Sequence, residues 1–307
     1  MPKNLKIAFA GTPEFALPSL ENLVADPEIS IAKIFTQPDR PIGRGQKIGQ
    51  PPVKILAEKL GIPVEQNKLT AANLPVDLDF LAVVAFGQIL PTKILEIPRF
   101  GCVNLHSSLL PQFRGASPVQ SVILAGDEKT GVSFQKISAE LDAGDIFASF
   151  AISLTGENSA ELAEKLAQLG GEKFPAILKK IAAGAITAAP QNSADATFCS
   201  KIRKSDGRVE WAKNSTEILL RKKRAFAEWP GIWTTFAGAN LKLVEFAAAK
   251  KFPGKRVSEV FEFEKNIFVA TTNGALRLEK IQLAGKKILA AADFARGNSN
   301  FVGSFLK

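Results

Sequence analysis

Residues 80–86 read Phe-Leu-Ala-Val-Val-Ala-Phe, and no other stretch limits the possible folds so sharply. A strand that is apolar at every position must be covered on both faces, as a central strand of a parallel sheet is. Residues 5–10, 31–36 and 102–105 are shorter runs of the same kind. Helix-like stretches separate them: 13–24 with Thr12 as N-cap and Pro13 in the first turn, 53–60 behind Pro51 and Pro52, and 116–124 behind Gly115. Strands alternating with helices predict a doubly wound, mostly parallel α/β sheet. Residues 131–137 and 146–152 add two strands around a loop, 138–145. An amphipathic helix capped by Asn158 follows, then a second helix over 172–183.

The tract 188–197 (AAPQNSADAT) is small, polar and without pattern, and it reads as a connector. The expected organisation is a catalytic domain over 1–189, a linker over 190–205 and a second domain over 206–307. In the latter, a basic helix near 215–227 precedes five short strands, at 232–236, 241–246, 257–263, 267–271 and 275–283. Asn273-Gly274 is a hairpin turn signal. Closely spaced short strands predict a small, OB-like β-barrel. Charge divides along the same line. Residues 1–190 hold 18 Lys and Arg against 19 Asp and Glu, whereas 191–307 hold 21 against 11. A neutral module joined to a basic one points to a polyanionic partner such as nucleic acid, with a merely solvated surface as the plainer alternative. Arg221-Lys222-Lys223-Arg224 on the basic helix and Lys201, Arg203, Lys204 and Arg208 before it are the cations in question. Trp229 and Trp233 are expected in the barrel core rather than stacked on bases.

Several chemistries are excluded by what the chain lacks. Cys102 and Cys199 stand alone, which argues against a disulfide framework and a thiolate zinc site and fits a soluble, cytoplasmic protein. No apolar run reaches the ~18 residues a membrane helix needs. Gly43-Arg44-Gly45 fails as a dinucleotide fingerprint, because Ile48 occupies the third glycine position. No phosphate-binding loop or serine nucleophile elbow occurs. A single histidine rules out zinc sites built on several imidazoles, and no metal is expected. With one histidine in the chain, acid–base work near neutral pH falls to His106, and with no tyrosine no phenol can hydrogen-bond a ligand.

His106 ends the motif Gly101-Cys-Val-Asn-Leu-His106, two residues after Asn104. On a strand that spacing puts both side chains on one face. Ligand sites of open α/β sheets lie just beyond the carboxyl ends of the strands. Asp142, in Leu141-Asp-Ala-Gly-Asp145, is the best carboxylate partner; that it only makes an Asx-turn stays open at this point. An amide donor, an imidazole and a carboxylate suit acyl transfer to an amine without a covalent enzyme intermediate.

His106-Ser-Ser-Leu-Leu-Pro111, Arg114-Gly115, Pro118, Gly131-Val-Ser133 and Leu141-Asp-Ala-Gly-Asp145 together resemble the folate-dependent formyltransferases. Phe9-Ala-Gly-Thr-Pro13, Thr36-Gln-Pro-Asp-Arg40 and Val83-Val-Ala-Phe-Gly87 narrow the resemblance to the branch that acts on the methionyl ester of initiator tRNA. The resemblance implies a Rossmann-like domain that uses 10-formyltetrahydrofolate. It implies Asn104, His106 and Asp142 as catalytic residues, Ser108, Leu109, Leu110 and Pro111 as the folate-binding stretch, and Arg40, Arg44 and Lys47 as tRNA contacts. It also implies a monomer, with initiator methionyl-tRNA as the macromolecular substrate. The chain departs from the family pattern with Phe86 and Phe113 where tyrosine is common, Ser107 where Gly or Ala is, and Ser133 and Ala143 where threonine is. Two rival readings are a formyltransferase for a small free amine and a non-catalytic RNA-binding protein.

Overall fold

The structure, a computed structural model, describes residues 4–42 and 47–307. The chain folds into two compact units, one formed by residues up to 118 with 128–155 and 161–200, the other by 119–127, 156–160 and 201–307.

The first unit is built on a seven-stranded sheet. In chain order its elements are β1 (Leu5–Gly11), α1 (Leu17–Ala25), β2 (Ile29–Phe35), β3 (Arg40–Ile42), β4 (Lys47–Gly49), α2 (Pro52–Lys59), β5 (Val64–Glu65), β6 (Phe80–Val84), α3 (Thr92–Leu95), β7 (Cys102–His106), β8 (Arg114–Gly115), β9 (Lys129–Lys136), β10 (Ile146–Ser153), α5 (Ser159–Ala182) and β11 (Phe198–Cys199); α4 (Pro118–Ala125), between β8 and β9, belongs from Val119 onward to the second unit. The sheet order is β10-β9-β7-β6-β1-β2-β5. The pairs among β7, β6, β1, β2 and β5 are parallel, and β9 and β10 are antiparallel. Every residue of β6 is buried, as its apolar run requires. The chain leaves β1 toward β2 on one side and returns to β6 on the other, so the sheet has a switch point beside β1.

Three local expectations change. Thr12 does not cap a helix. Its hydroxyl donates to the Phe86 carbonyl and accepts from the Gln37 amide, and a 3-10 turn over Glu14–Ala16 leads into α1. The two helices expected around Gly170-Gly171 are one, α5, of 24 residues. The segment expected as a linker over 190–205 is bound to the first unit as far as Ser200. Phe198 and Cys199 pair in parallel with Arg114 and Gly115, and the Thr197 hydroxyl accepts from the Phe113 amide at 2.8 Å. A strand bridge outweighs the absence of apolar periodicity in that tract.

The second unit contains α6 (Thr216–Ala225), β12 (Trp233–Phe236), β13 (Ala239–Ala249), β14 (Val260–Phe263), β15 (Asn266–Ala270), β16 (Ala275–Leu283), β17 (Leu289–Ala290) and α7 (Ala291–Gly297). Its antiparallel sheet runs β12-β13-β16-β15-β14, with β17 on β16. This is a half-barrel, and the C-terminal tail lies between its two edges. Lys307 exchanges both backbone hydrogen bonds with Thr235 on β12, while the Val260 and Ser258 regions bond Gly303, Ser304 and Leu306. Phe236, Phe294 and Phe301 pack edge to face inside it. The core tryptophan is Trp211, whose indole N–H donates to Thr234 at 2.9 Å. Trp229 is not in the core as expected; it is 54% exposed.

Candidate active site

The site forms at the carboxyl end of β7. Antiparallel pairing sets Asn104 opposite Gln135 and His106 opposite Ser133, so four polar side chains share one sheet face. His106, Ser133 and Gln135 are buried, and Asn104 is half-buried. Among the described residues the Asn104 carboxamide has no protein partner, which leaves its N–H groups available to a ligand.

Asp142 arrives from the loop between β9 and β10. Its Oδ1 lies 3.7 Å from Nδ1 of His106. That is an ion-pair separation, too long for a direct hydrogen bond. The other ring nitrogen, Nε2, is 3.1 Å from the carbonyl oxygen of Phe113. A carbonyl only accepts, so Nε2 carries the proton in the neutral ring and Nδ1 faces the carboxylate with its lone pair. The carboxylate itself is held by the Gly115 amide on Oδ2 at 2.9 Å and the Gln135 carboxamide on Oδ1 at 3.0 Å. Phe113 and Asp142 both have left-handed backbones, with φ of 55° and 50°. Such conformations cost roughly 1–2 kcal/mol for a residue with a side chain; here they aim one carbonyl and one carboxylate at the same ring.

The stretch Ser108–Pro111 leaves this strand end as a braced turn. Ser133, fully buried on β9, accepts from the Leu110 amide at 3.0 Å and donates to the Ser108 carbonyl at 2.8 Å. Ser108 and Leu110 are buried and Leu109 and Pro111 half-buried. The serine at 133 thus supplies the hydroxyl that the turn needs without the methyl of a threonine.

Of the three cations assigned to tRNA, Arg40 is exposed on β3 and donates to Gln37 at 2.8 Å. Lys47 lies on β4, in register with Ile42. Arg44 lies outside the described residues. On α6, Arg221, Lys222 and Lys223 donate to the backbone carbonyls of Ala125, Arg208 and Phe246, so most of that basic run brackets backbone. Lys201, Arg203, Lys204 and Arg208 are exposed.

Neither cysteine offers a nucleophile. Burial pushes the Cys102 thiol up to about 12. Cys199 donates to the Phe113 carbonyl that also holds His106. The sequence reading missed Gln135 and Gln191. The first had a legible signal, a polar residue two positions after Ser133 and so on the same strand face, opposite the face that carries Val132 and Phe134; the second had none, because it sits in a patternless tract.

A family model described as formyl transferase matches residues 5–178, and one described as formyl transferase, C-terminal domain, matches 201–299. The chain is similar to the methionyl-tRNA formyltransferase of Methylococcus capsulatus, at 40% identity over 96% of this chain and 97% of that one. It is equally similar to that of Geobacter metallireducens, at 40% over 95% and 96%. Among solved structures its fold resembles WlaRD, a sugar 3N-formyltransferase, with a TM-score of 0.67 at 18% identity over 92% of this chain and 99% of that one. It also resembles HypX from Aquifex aeolicus in complex with tetrahydrofolic acid, with a TM-score of 0.62 at 17% identity over 95% of this chain and 47% of that one.

Proposed function

The chain belongs to the formyl transferase family, and from that premise we infer that it is a methionyl-tRNA formyltransferase, moving a formyl group to the amino group of methionine esterified to initiator tRNA and so serving translation initiation. The donor in this reading is 10-formyltetrahydrofolate, seated against Ser108, Leu109, Leu110 and Pro111. Arg40, Arg44 and Lys47 contact the tRNA. The protein acts as a cytoplasmic monomer; among the described residues no helix is long and apolar enough to cross a membrane.

The observation that carries the reading is the convergence of Asn104, His106 and Asp142 on one strand end, with 3.7 Å between the imidazole and the carboxylate. The amine lone pair attacks the formyl carbon and forms the new C–N bond, while the carbonyl pair moves onto oxygen. The unpartnered Asn104 amide donates to that oxygen as its charge grows. Collapse breaks the bond to N10 of the folate, and the proton given up by the amine ends on that nitrogen. Nδ1 of His106 holds the proton in transit, and Asp142 stabilises the resulting imidazolium. No covalent enzyme intermediate is needed, and the buried Cys102 thiol could not form one.

The basic balance of residues 191–307 favours a tRNA-borne amine over a small free one, since a small amine leaves that charge without a partner. The test supplies 10-formyltetrahydrofolate with charged initiator tRNA or with free methionine. Formylation confined to the tRNA is expected; equal formylation of the free amino acid would overturn the assignment. His106→Ala should abolish turnover and leave folate binding intact by equilibrium titration. Wild-type-like turnover in that variant would remove His106 from the reaction.

A further inference from the structure

Asp142 is anchored by a chain of side chains that begins at a buried cation. Arg114 is 2% exposed, and its Nε and Nη2 both donate to Oε1 of Gln191, at 3.1 and 2.8 Å. Nε2 of Gln191 faces Oε1 of Gln135 at 3.3 Å and the carbonyls of Asp142 and Gly144 at 2.9 and 2.6 Å. Nε2 of Gln135 then donates to Oδ1 of Asp142 at 3.0 Å.

The direction of this chain is fixed by chemistry at each link. A guanidinium has only donors, so the oxygen of Gln191 must face Arg114 and its NH2 must face away. That NH2 meets three acceptors, one of them the Gln135 oxygen, which leaves the Gln135 NH2 for the carboxylate. A buried guanidinium needs compensating negative charge. Glu140 lies 3.9 Å from Nη1 but is 76% exposed, hence screened by solvent. Asp142, with a side chain 12% exposed, is the sheltered carboxylate on the same network. At 3.7 Å the imidazole does not anchor Asp142; the Gly115 amide fixes Oδ2, and the place of Oδ1, the oxygen that faces the ring, depends on the Gln135 carboxamide behind it.

We propose that Gln135 and Gln191 are positioning residues for formyl transfer, coupling the buried Arg114 guanidinium to Asp142 and holding that carboxylate against His106. The proposal rests on His106 and Asp142 being the catalytic pair. It assigns a role in the site to the tract that follows α5 in the first unit, because Gln191 lies beyond the strands and helices of the sheet.

The test uses the full chain and its single histidine, whose two ring nitrogens give unambiguous 15N NMR signals. Gln191→Met has similar length and little hydrogen-bonding capacity, and Gln191 makes no hydrogen bond to His106. It should move both His106 nitrogen shifts in the wild-type background and leave them unmoved in the Asp142→Asn background. Kinetically, kcat should fall roughly ten-fold with each KM within about two-fold, and the loss should vanish when Asp142→Asn is already present. Unmoved nitrogen shifts, a loss borne by KM, or a loss that adds in full to that of Asp142→Asn would overturn the proposal. Gln135→Met is the second variant, with the same outcomes, should Gln191→Met fail to fold. If the unsubstituted protein transfers no formyl group, the reading of the reaction fails, and the nitrogen shifts still decide the positioning role.

Discussion

Gly144 has no space for a side chain: a Cβ there would lie 1.7 Å from the carbonyl oxygen of Lys136. It follows Asp142 by two residues, and its own carbonyl accepts from Gln191. Gly144→Ala must therefore push the loop off β9 and carry Asp142 away from His106. We expect a stability loss of roughly 2–4 kcal/mol, from the strain the extra methyl imposes, and at least a ten-fold lower transfer rate. Thermal unfolding and initial rates check it; values unchanged from the wild type would mean that the loop gives way at no cost. Lys222 makes a different residue-scale case. Burial pushes its ammonium below the ordinary 10.5, against the pull of Glu210 and Asp206. Between its folded value and 10.5 the unfolded chain binds more protons, so stability rises with pH across that window. The stability of the wild type relative to Lys222→Met should accordingly increase as pH climbs toward 10.5 in denaturant titrations, and a flat difference would sink the argument. At this scale the sequence was legible where a periodic pattern constrained it. A strand period of two paired Asn104 with His106, and the lone histidine left no rival. Gln191 was illegible, because its partners Asp142 and Arg114 are 49 and 77 residues away and a carboxamide in a polar tract carries no distinguishing pattern.

At the scale of elements, the Gly170-Gly171 pair is instructive because it suggests a break and is not one. A Cβ on Gly170 would meet Leu105 of β7 at 2.4 Å, and one on Gly171 would meet Pro18 of α1 at 2.6 Å. The pair lets α5 lie close on the sheet and on α1, and tertiary packing overrides the low helix propensity of glycine. The β6 run was readable from sequence because burial on both faces leaves no polar position. The continuity of α5 was not, since it depends on what the helix packs against. The last turn of α5 is also tied to the turn after α1, where Lys179 meets Asp26 at 2.8 Å and Glu28 at 2.9 Å. Hydrogen bonds that the Lys179 ammonium donates to Asp26 and Glu28 raise Lys179. Burial works to raise Asp26, but the Lys179 ammonium and the Glu28 amide outweigh it and leave Asp26 below 3.8. The Asp26 contribution is thus complete above its ordinary value and is lost as pH falls through the lower folded one. Lys179→Met should cost only about 0.5–1 kcal/mol, because these groups are partly exposed and screened. That cost should shrink below pH 4 in acid unfolding; a cost that persists there would exclude the ion pairs as its source.

For the whole molecule, the charge division read from sequence survives, but its distribution among residues does not. The Arg221–Lys223 run looks like a phosphate-binding strip, yet these three side chains donate to carbonyls within the second unit. The exposed Lys201, Arg203 and Lys204 stand at the entrance to that unit, directly after the connector that carries Gln191. Cations already committed to backbone carbonyls have fewer donors left for phosphate, whereas exposed ones release counterions when a polyanion docks. Converting Lys201, Arg203 and Lys204 together to Ala should therefore weaken tRNA binding and lower the slope of log K against log salt by about 2–3, near one unit for each phosphate that is no longer neutralised. Lys222→Met and Lys223→Met should leave that slope nearly unchanged and act instead on the unfolding midpoint of the second unit. Because the three exposed residues lie outside the catalytic constellation, kcat at saturating tRNA should stay within about two-fold. If the substitutions on α6 flatten the salt slope and the triple change does not, tRNA is gripped by the helix after all, and the bonds to backbone carbonyls must give way when it binds.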